Sequence, residues 1–60
     1  MIKTKEAAEV EAKKLWGINA FVGVFGSDYV VGEVNGIFRQ AYGYGSSWDK
    51  AFKSAKFNIN

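Results

Sequence analysis

The 60-residue chain contains no cysteine, no histidine and no proline. Without cysteine it forms no disulfide, and without cysteine or histidine the usual zinc sites and the common nucleophile–base pairs of enzymes are excluded. Three of the six acidic residues fall within the first helical segment, where solvation explains them: Glu6, Glu9 and Glu11. We therefore expect a non-enzymatic protein with no catalytic residues, no cofactor and no metal.

Long apolar runs are also missing. No stretch reaches the length of a transmembrane helix, and no apolar segment of a signal peptide follows the charged N-terminus. The net charge of +2 is too small to indicate a nucleic-acid partner by itself. We expect one cytoplasmic domain spanning residues 1–60. A core of this size supplies only about 3–5 kcal/mol, and oligomerisation is the common remaining source of stability, so we also expect a homodimer.

Residues 18–44 predict a three-stranded antiparallel meander. Asn35-Gly36 lies between two apolar, β-branched runs, which is the strongest short-range signal for a hairpin because a type I′ turn requires positive φ at both central positions. Gly26-Ser27-Asp28 separates the first run from the second and suits a three-residue hairpin loop. The predicted strands are residues 18–25, 29–34 and 37–44.

The turns also predict the register, in which Val34 pairs with Ile37 and Phe25 pairs with Tyr29. Side chains alternate between the two faces of a sheet. One predicted face is aliphatic around Arg39 and contains Ala20, Val22, Val24, Val30, Val34, Ile37 and Ala41. The other is aromatic and contains Phe21, Phe25, Tyr29, Val31, Phe38, Tyr42 and Tyr44, with Glu33 and Gln40 among them. Neither face is polar, which favours an additional contact on whichever face the helices leave open.

A helix is predicted on each side of the meander. The first is expected over residues 5–16, with Thr4 as N-cap, Gly17 as the stop and an apolar stripe of Ala8, Ala12 and Leu15 flanked by Trp16. In the second, Ser46 and Asp49 match the capping-box pattern. Its apolar stripe comprises Trp48, Ala51, Phe52, Ala55 and Ile59. The glycines of Gly43-Tyr44-Gly45 are expected to let the chain turn from strand into helix.

The predicted fold class is therefore α+β, in the order α-β-β-β-α, with both helices packed on one face of the meander. The aliphatic face, with Gly32 among its members, suits close helix packing. The reverse assignment, with the helices on the aromatic face, stays open at this point.

The aromatic residues form the candidate functional surface. They fit a core beneath the helices, a protein interface, or a platform that stacks unpaired bases. Glu33 is expected to bond Gln40, a tyrosine hydroxyl or a partner's cation, unless it simply reaches water. The candidate partner-binding residues are Phe21, Phe25, Tyr29, Glu33, Phe38, Gln40, Tyr42 and Tyr44. The candidate phosphate-binding residues of the nucleic-acid alternative are Arg39, Lys50, Lys53 and Lys56.

Gly43-Tyr44-Gly45-Ser46-Ser47, followed by Ala51 and Ala55, resembles the entry to the second helix of the double-stranded RNA-binding domain. The element order and length are similar to that family too. The resemblance implies duplex RNA contacts through the first helix, the first hairpin loop and lysines at the start of the second helix. Here Trp48 and Asp49 stand where those lysines are expected, and degenerate members of the family typically act as protein–protein modules.

Residues 29–59 also resemble the strand–strand–helix unit of HicB-type antitoxins, with Gly45-Ser46-Ser47 and Asp49-Lys50-Ala51 similar to that family's turn into an Ala-rich helix. In type, the small aromatic-rich chain is similar to accessory proteins of phages and mobile elements, several of which inhibit host enzymes. The sequence thus predicts a homodimeric protein–protein interaction module that docks on a host protein. An RNA-binding module is the alternative.

Overall fold

The computed structural model describes the backbone of residues 2–59 and the side chains of residues 2–56. The elements are α1 (Lys5–Trp16), β1 (Ala20–Phe25), β2 (Asp28–Asn35), β3 (Phe38–Gly45) and α2 (Trp48–Ile59). The strands form one antiparallel sheet in the order β1-β2-β3. Helix α1 packs mainly on β1 and helix α2 mainly on β3. The predicted α-β-β-β-α order is confirmed.

Local signals set the ends of α1. The Thr4 hydroxyl accepts a 3.1 Å hydrogen bond from the Ala7 amide, as an N-cap residue does. At the other end, Gly17 has φ 89° and donates to the Lys13 carbonyl. Both predicted helix limits are confirmed.

The buried stripe of α1 differs from the predicted one. Ala8 and Ala12 are fully buried and Trp16 is packed against the same core. Leu15 is 41% exposed, so its predicted place in the stripe is wrong. The four-residue spacing from Ala8 through Ala12 continues to Trp16, whose larger ring fills the space at the end of the helix.

Both hairpins have two-residue loops that begin with glycine. Phe25 pairs with Asp28 across Gly26-Ser27, and Asn35 pairs with Phe38 across Gly36-Ile37. Gly26 and Gly36 have φ of 64° and 66°, and no non-glycine residue in the described chain has positive φ. Glycine at the first central position is the type II′ pattern rather than type I′.

This loop chemistry makes both predicted registers wrong. Tyr29 pairs with Val24 instead of Phe25, so β1 is turned over relative to the prediction. Val34 pairs with Arg39 instead of Ile37. The predicted separation into an aliphatic and an aromatic face is therefore also wrong. Each observed face combines the β1 residues of one predicted face with the β2 residues of the other, as in the pair Val22 and Val31.

Tyr42 is an extra residue in β3. Val31 pairs with Gly43 and Gly32 pairs with Ala41, so Tyr42 is inserted between two consecutive pairs of the ladder. This β-bulge reverses the alternation for the rest of the strand. Tyr44 consequently lies on the face opposite to Tyr42, although the two were predicted to share one.

The helices cover the face that carries Val22 and Val31, with Tyr29 and Tyr42 packed at its margins. Gly32 lies on the other face, so its predicted role in helix packing is wrong. The glycine that admits a helix is Gly43, where an added Cβ would overlap backbone atoms of Ala51 and Ala55. Gly43 thus allows α2 to approach the sheet closely. The sequence analysis predicted only that this glycine lets the chain turn from strand into helix.

Aromatic contacts close this core. The Trp16 ring stacks on Phe52 with centroids 5.9 Å apart and 10° between the planes, which joins the two helices. The ring of Tyr42 lies 5.2 Å from Trp16. Tyr29 meets Trp48 edge to face at 4.7 Å. These offset and tilted geometries are the favourable ones for aromatic pairs.

Helix α2 begins one residue later than the predicted capping box requires. The Ser47 hydroxyl accepts the hydrogen bond from the Lys50 amide, so Ser47 rather than Ser46 is the cap. Ser46 accepts from the Lys50 ammonium group, and Asp49 accepts from the Ile2 amide. The predicted stripe from Trp48 to Ala55 is buried. The side chain of Ile59 lies outside the described residues.

Candidate interaction surface

The face of the sheet opposite the helices carries apolar and aromatic side chains. We call it the open face. The pairing of the strands and the bulge assign to it Phe21, Gly23, Phe25, Val30, Gly32, Val34, Arg39, Ala41 and Tyr44. Phe25 is 52% exposed and Tyr44 is 62% exposed. Contiguous exposed apolar surface of this kind is typical of interaction sites.

Two phenylalanine rings of the open face lie over glycines. The Phe21 ring is so close to Gly32 that a Cβ there would come within 2.8 Å of it. The Phe25 ring lies over Gly23, with 3.0 Å between the ring and the position of an added Cβ. Aromatic rings that cover strand glycines shield the backbone and stabilise the sheet. The two rings therefore cover part of the backbone of the open face.

The predicted partner-binding residues do not form one surface. Phe21, Phe25 and Tyr44 lie on the open face, whereas Tyr29, Glu33 and Tyr42 lie on the face beneath the helices and are half-buried. Phe38 and Gln40 share that second face near the β2–β3 turn, where both are exposed.

Tyr42 and Glu33 form a polar contact inside the sheet. The Tyr42 hydroxyl donates a 2.7 Å hydrogen bond to Oε1 of Glu33. This bond to Glu33 raises the pKa of Tyr42 above its ordinary value of 10.0, and desolvation and the carboxylate charge act in the same direction. The tyrosine hydroxyl, one of the partners predicted for Glu33, is therefore the partner found.

A second exposed apolar group lies at the end of the sheet away from the β1–β2 turn, and the candidate residues predicted from the sequence include only Phe38 of its three members. Ile18 precedes β1 and is 87% exposed, and Ile37 in the β2–β3 turn is 93% exposed. Phe38 next to it is exposed as well. The signal was present in the sequence, because large apolar residues at turn positions have no core contact to explain them.

The residues predicted for phosphate binding lie on different layers of the molecule. Arg39 belongs to the open face, opposite Val34 in the neighbouring strand. Lys50, Lys53 and Lys56 are exposed on α2, which packs on the other face. Lys50 is bonded to Ser46. The fold separates the arginine from the three lysines by the thickness of the sheet, so the four do not form one phosphate-binding surface.

Among the side chains that the structure describes, those of residues 2–56, no group of three or more acidic, histidine or cysteine residues could hold a metal ion. Within residues 2–59, neither helix is long and apolar enough to cross a membrane. No protein-family model, curated protein or solved structure matches the chain. The resemblances to the double-stranded RNA-binding domain and to HicB-type antitoxins therefore stay predictions.

Proposed function

We propose that this protein is a small, non-enzymatic protein–protein interaction module that docks through its open face and forms a homodimer through it. The observation that carries the proposal is the face itself. Two helices cover one side of a three-stranded sheet whose other side presents Phe21, Phe25 and Tyr44, with Val30 and Val34 between them. Aromatic anchors of this kind supply most of the binding energy in protein interfaces.

Polar groups on the open face are few, as an interface core requires. Arg39 is its cation, and Asp28 lies at the far end beside the β1–β2 turn. Charged residues are depleted from interface cores while Tyr, Phe and Arg are enriched. The two charges at opposite ends of the face would orient an antiparallel copy, since each Arg39 would approach the partner's acidic end.

A chain of this type is similar to accessory proteins of phages and mobile elements. We propose a host protein as the physiological target class, which binds the same aromatic face in the cytoplasm and displaces the second copy of the chain from it. RNA binding is the alternative outcome, and it has a different dependence on salt: phosphate contacts weaken steeply with ionic strength, whereas an aromatic interface changes little.

Light scattering across a concentration series tests the homodimer. We expect a dimer for the wild-type protein and a monomer for Tyr44→Asp, which places a charge in the apolar face without touching the core. Ala7→Asp is the matched control. Ala7 is exposed on α1, so this substitution adds the same charge away from the open face. A wild-type monomer at all concentrations, or an Ala7→Asp variant that dissociates equally, would contradict the proposal.

An electrophoretic shift assay with duplex and single-stranded RNA tests the alternative. We expect no shift at low salt for either RNA. A shift that disappears as salt is raised, and that charge reversal at Lys53 weakens, would replace the proposed function with RNA binding.

A further inference from the structure

The two edges of the sheet are protected to different degrees. The β3 edge has the bulge at Tyr42 and the polar residues Arg39 and Gln40, both of which discourage pairing with another strand. The β1 edge has the sequence AFVGVF, with no charge, no proline and an unbroken register against β2. A regular apolar edge strand is a template for an additional strand.

The outer side of β1 presents backbone groups for such pairing. The Asn19 carbonyl accepts a 2.8 Å hydrogen bond from the Val34 amide, which marks these two as a hydrogen-bonded pair. Hydrogen-bonded and non-hydrogen-bonded pairs alternate along an antiparallel ladder. The amides and carbonyls of Val22 and Val24 therefore point away from β2, and neither residue has another backbone partner within the described chain.

A depression of about 370 Å³ follows this edge. Its lining includes Phe21, Val22, Val24 and Phe25 from the strand, together with Lys5 and Arg39. Lys5 belongs to α1 on the covered side of the sheet, and Arg39 belongs to the open face, so cations flank the edge on both sides. No carboxylate lines the depression, and neither cation is in an ion pair within the part of the chain that the structure describes.

We propose that the β1 edge binds an extended, acidic and apolar segment of a partner protein as a fourth strand of the sheet. The backbone of Val22 and Val24 supplies the ladder hydrogen bonds. Because neighbouring side chains of the added strand point to opposite faces, its carboxylates reach Lys5 on one side and Arg39 on the other. A second copy of this chain fits less well, since it carries a net charge of +2 and brings the same cations to the edge.

This site goes beyond the proposed function, because its hydrogen-bonding groups are those of the sheet edge rather than of the open face. The residues that line the depression and also belong to the open face are Phe21, Gly23, Phe25, Val34 and Arg39. The probe is a capped peptide, acetyl-Val-Glu-Glu-Val-Val-Glu-Glu-Val-amide, which carries glutamate on both faces of a strand. Its control has lysine in place of each glutamate. Amide hydrogen exchange reports the site directly, and we expect added peptide to protect the Val22 and Val24 amides.

Two variants test the backbone contact. Val24→Pro removes the outward N–H of an edge strand, where proline is tolerated, and should weaken peptide binding about tenfold, the factor that loss of a ladder hydrogen bond gives. Val24→Thr keeps the N–H and the β-branched shape and should bind as the wild type does. Should Val24→Pro fail to fold, the exchange of the wild-type Val22 and Val24 amides decides the question.

Separate outcomes distinguish this site from the open face. The Tyr44→Asp variant should lose self-association but keep peptide binding, whereas Val24→Pro should do the reverse. Equal binding of the glutamate and lysine peptides would overturn the charge argument, and unchanged exchange at Val22 and Val24 would overturn the site. Protection of these amides by raised protein concentration alone would show that a second copy occupies the edge, which also overturns the proposal.

Discussion

The Tyr42 hydroxyl donates a 2.7 Å hydrogen bond to the Glu33 carboxylate across β2 and β3. Tyr42 lies on the face of Glu33 because it follows Gln40, the residue opposite Glu33, by two positions, and the bulge at Tyr42 reverses the alternation only beyond this point. The ring of Tyr42 lies against Trp16 of α1. One bond thus ties the irregular point of β3 to β2 while the same side chain supports the first helix.

Replacing Tyr42 with phenylalanine should lower the urea midpoint of unfolding without changing its slope. The ring contact with Trp16 stays, but the half-buried Glu33 carboxylate loses its donor. Glu33→Gln is the control, since the amide oxygen can still accept from the hydroxyl and should cost less. Equal midpoints for Tyr42→Phe and the wild type would show that the bond adds nothing to stability.

The same contact predicts a loss of stability at alkaline pH. The fold raises the pKa of Tyr42 above that of the unfolded chain, chiefly through the hydrogen bond to Glu33. A raised folded-state pKa gives stability that is complete below about pH 10, the unfolded value, and is lost as pH rises through the folded pKa. The difference in urea midpoint between wild type and Tyr42→Phe should therefore be constant below about pH 10 and shrink as the pH is raised above it. A difference that stays constant as the pH rises above about 10 would contradict the assignment.

Gly43→Ala should destabilise the fold strongly. The added Cβ overlaps backbone atoms of Ala51 and Ala55, so α2 must move as a whole instead of one side chain adjusting. Overpacking of this kind costs about 3 kcal/mol, much of the stability of a domain this small. Gly23→Ala is the control, because its new methyl group meets only the outer atoms of the flexible Phe25 ring. The control should therefore stay within about 0.5 kcal/mol of the wild type in urea unfolding. Similar losses for both variants would contradict the close contact of α2 with β3.

The stacked pair Trp16–Phe52 should show energetic coupling between the two helices. A double-mutant cycle with Trp16→Leu and Phe52→Leu should give a coupling of about 0.5–1.5 kcal/mol, as aromatic pairs do. A second cycle that combines Trp16→Leu with Tyr44→Leu on the opposite face should be additive. If the changes in the free energy of unfolding caused by Trp16→Leu and Phe52→Leu simply add in the double variant, the stack does not hold the helices together.

Much of the architecture followed from local signals. Thr4 and Gly17 set the limits of α1, and the alternation of apolar runs with glycine-containing turns indicated three strands. These features depend on neighbours in the chain and can be read without the fold. Local signals did not decide between Ser46 and Ser47 as the cap of α2, since each serine stands at a position from which the first turn of the helix could begin.

The candidate site was predicted only in part. Phe21, Phe25 and Tyr44 do lie on the exposed face, but Tyr29, Glu33 and Tyr42 lie beneath the helices. The error arose from the length of the β1–β2 loop and from the bulge at Tyr42. A three-residue loop after Phe25 pairs Tyr29 with Phe25, whereas a two-residue loop that begins with glycine pairs Tyr29 with Val24. The two registers place Tyr29 on opposite faces of the sheet relative to Phe25, and both loops use the same turn-forming residues.

The sequence by itself determined the element order, the placement of both helices on one face, and the absence of cysteine and histidine. Only the tertiary structure decided the register, the bulge at Tyr42 and the identity of the open face. The physical reason is that hydrophobic patterning specifies register only where one face of a strand is polar. Here both faces are apolar, so the loops and the close contact of Gly43 with α2 determined which side chains were buried.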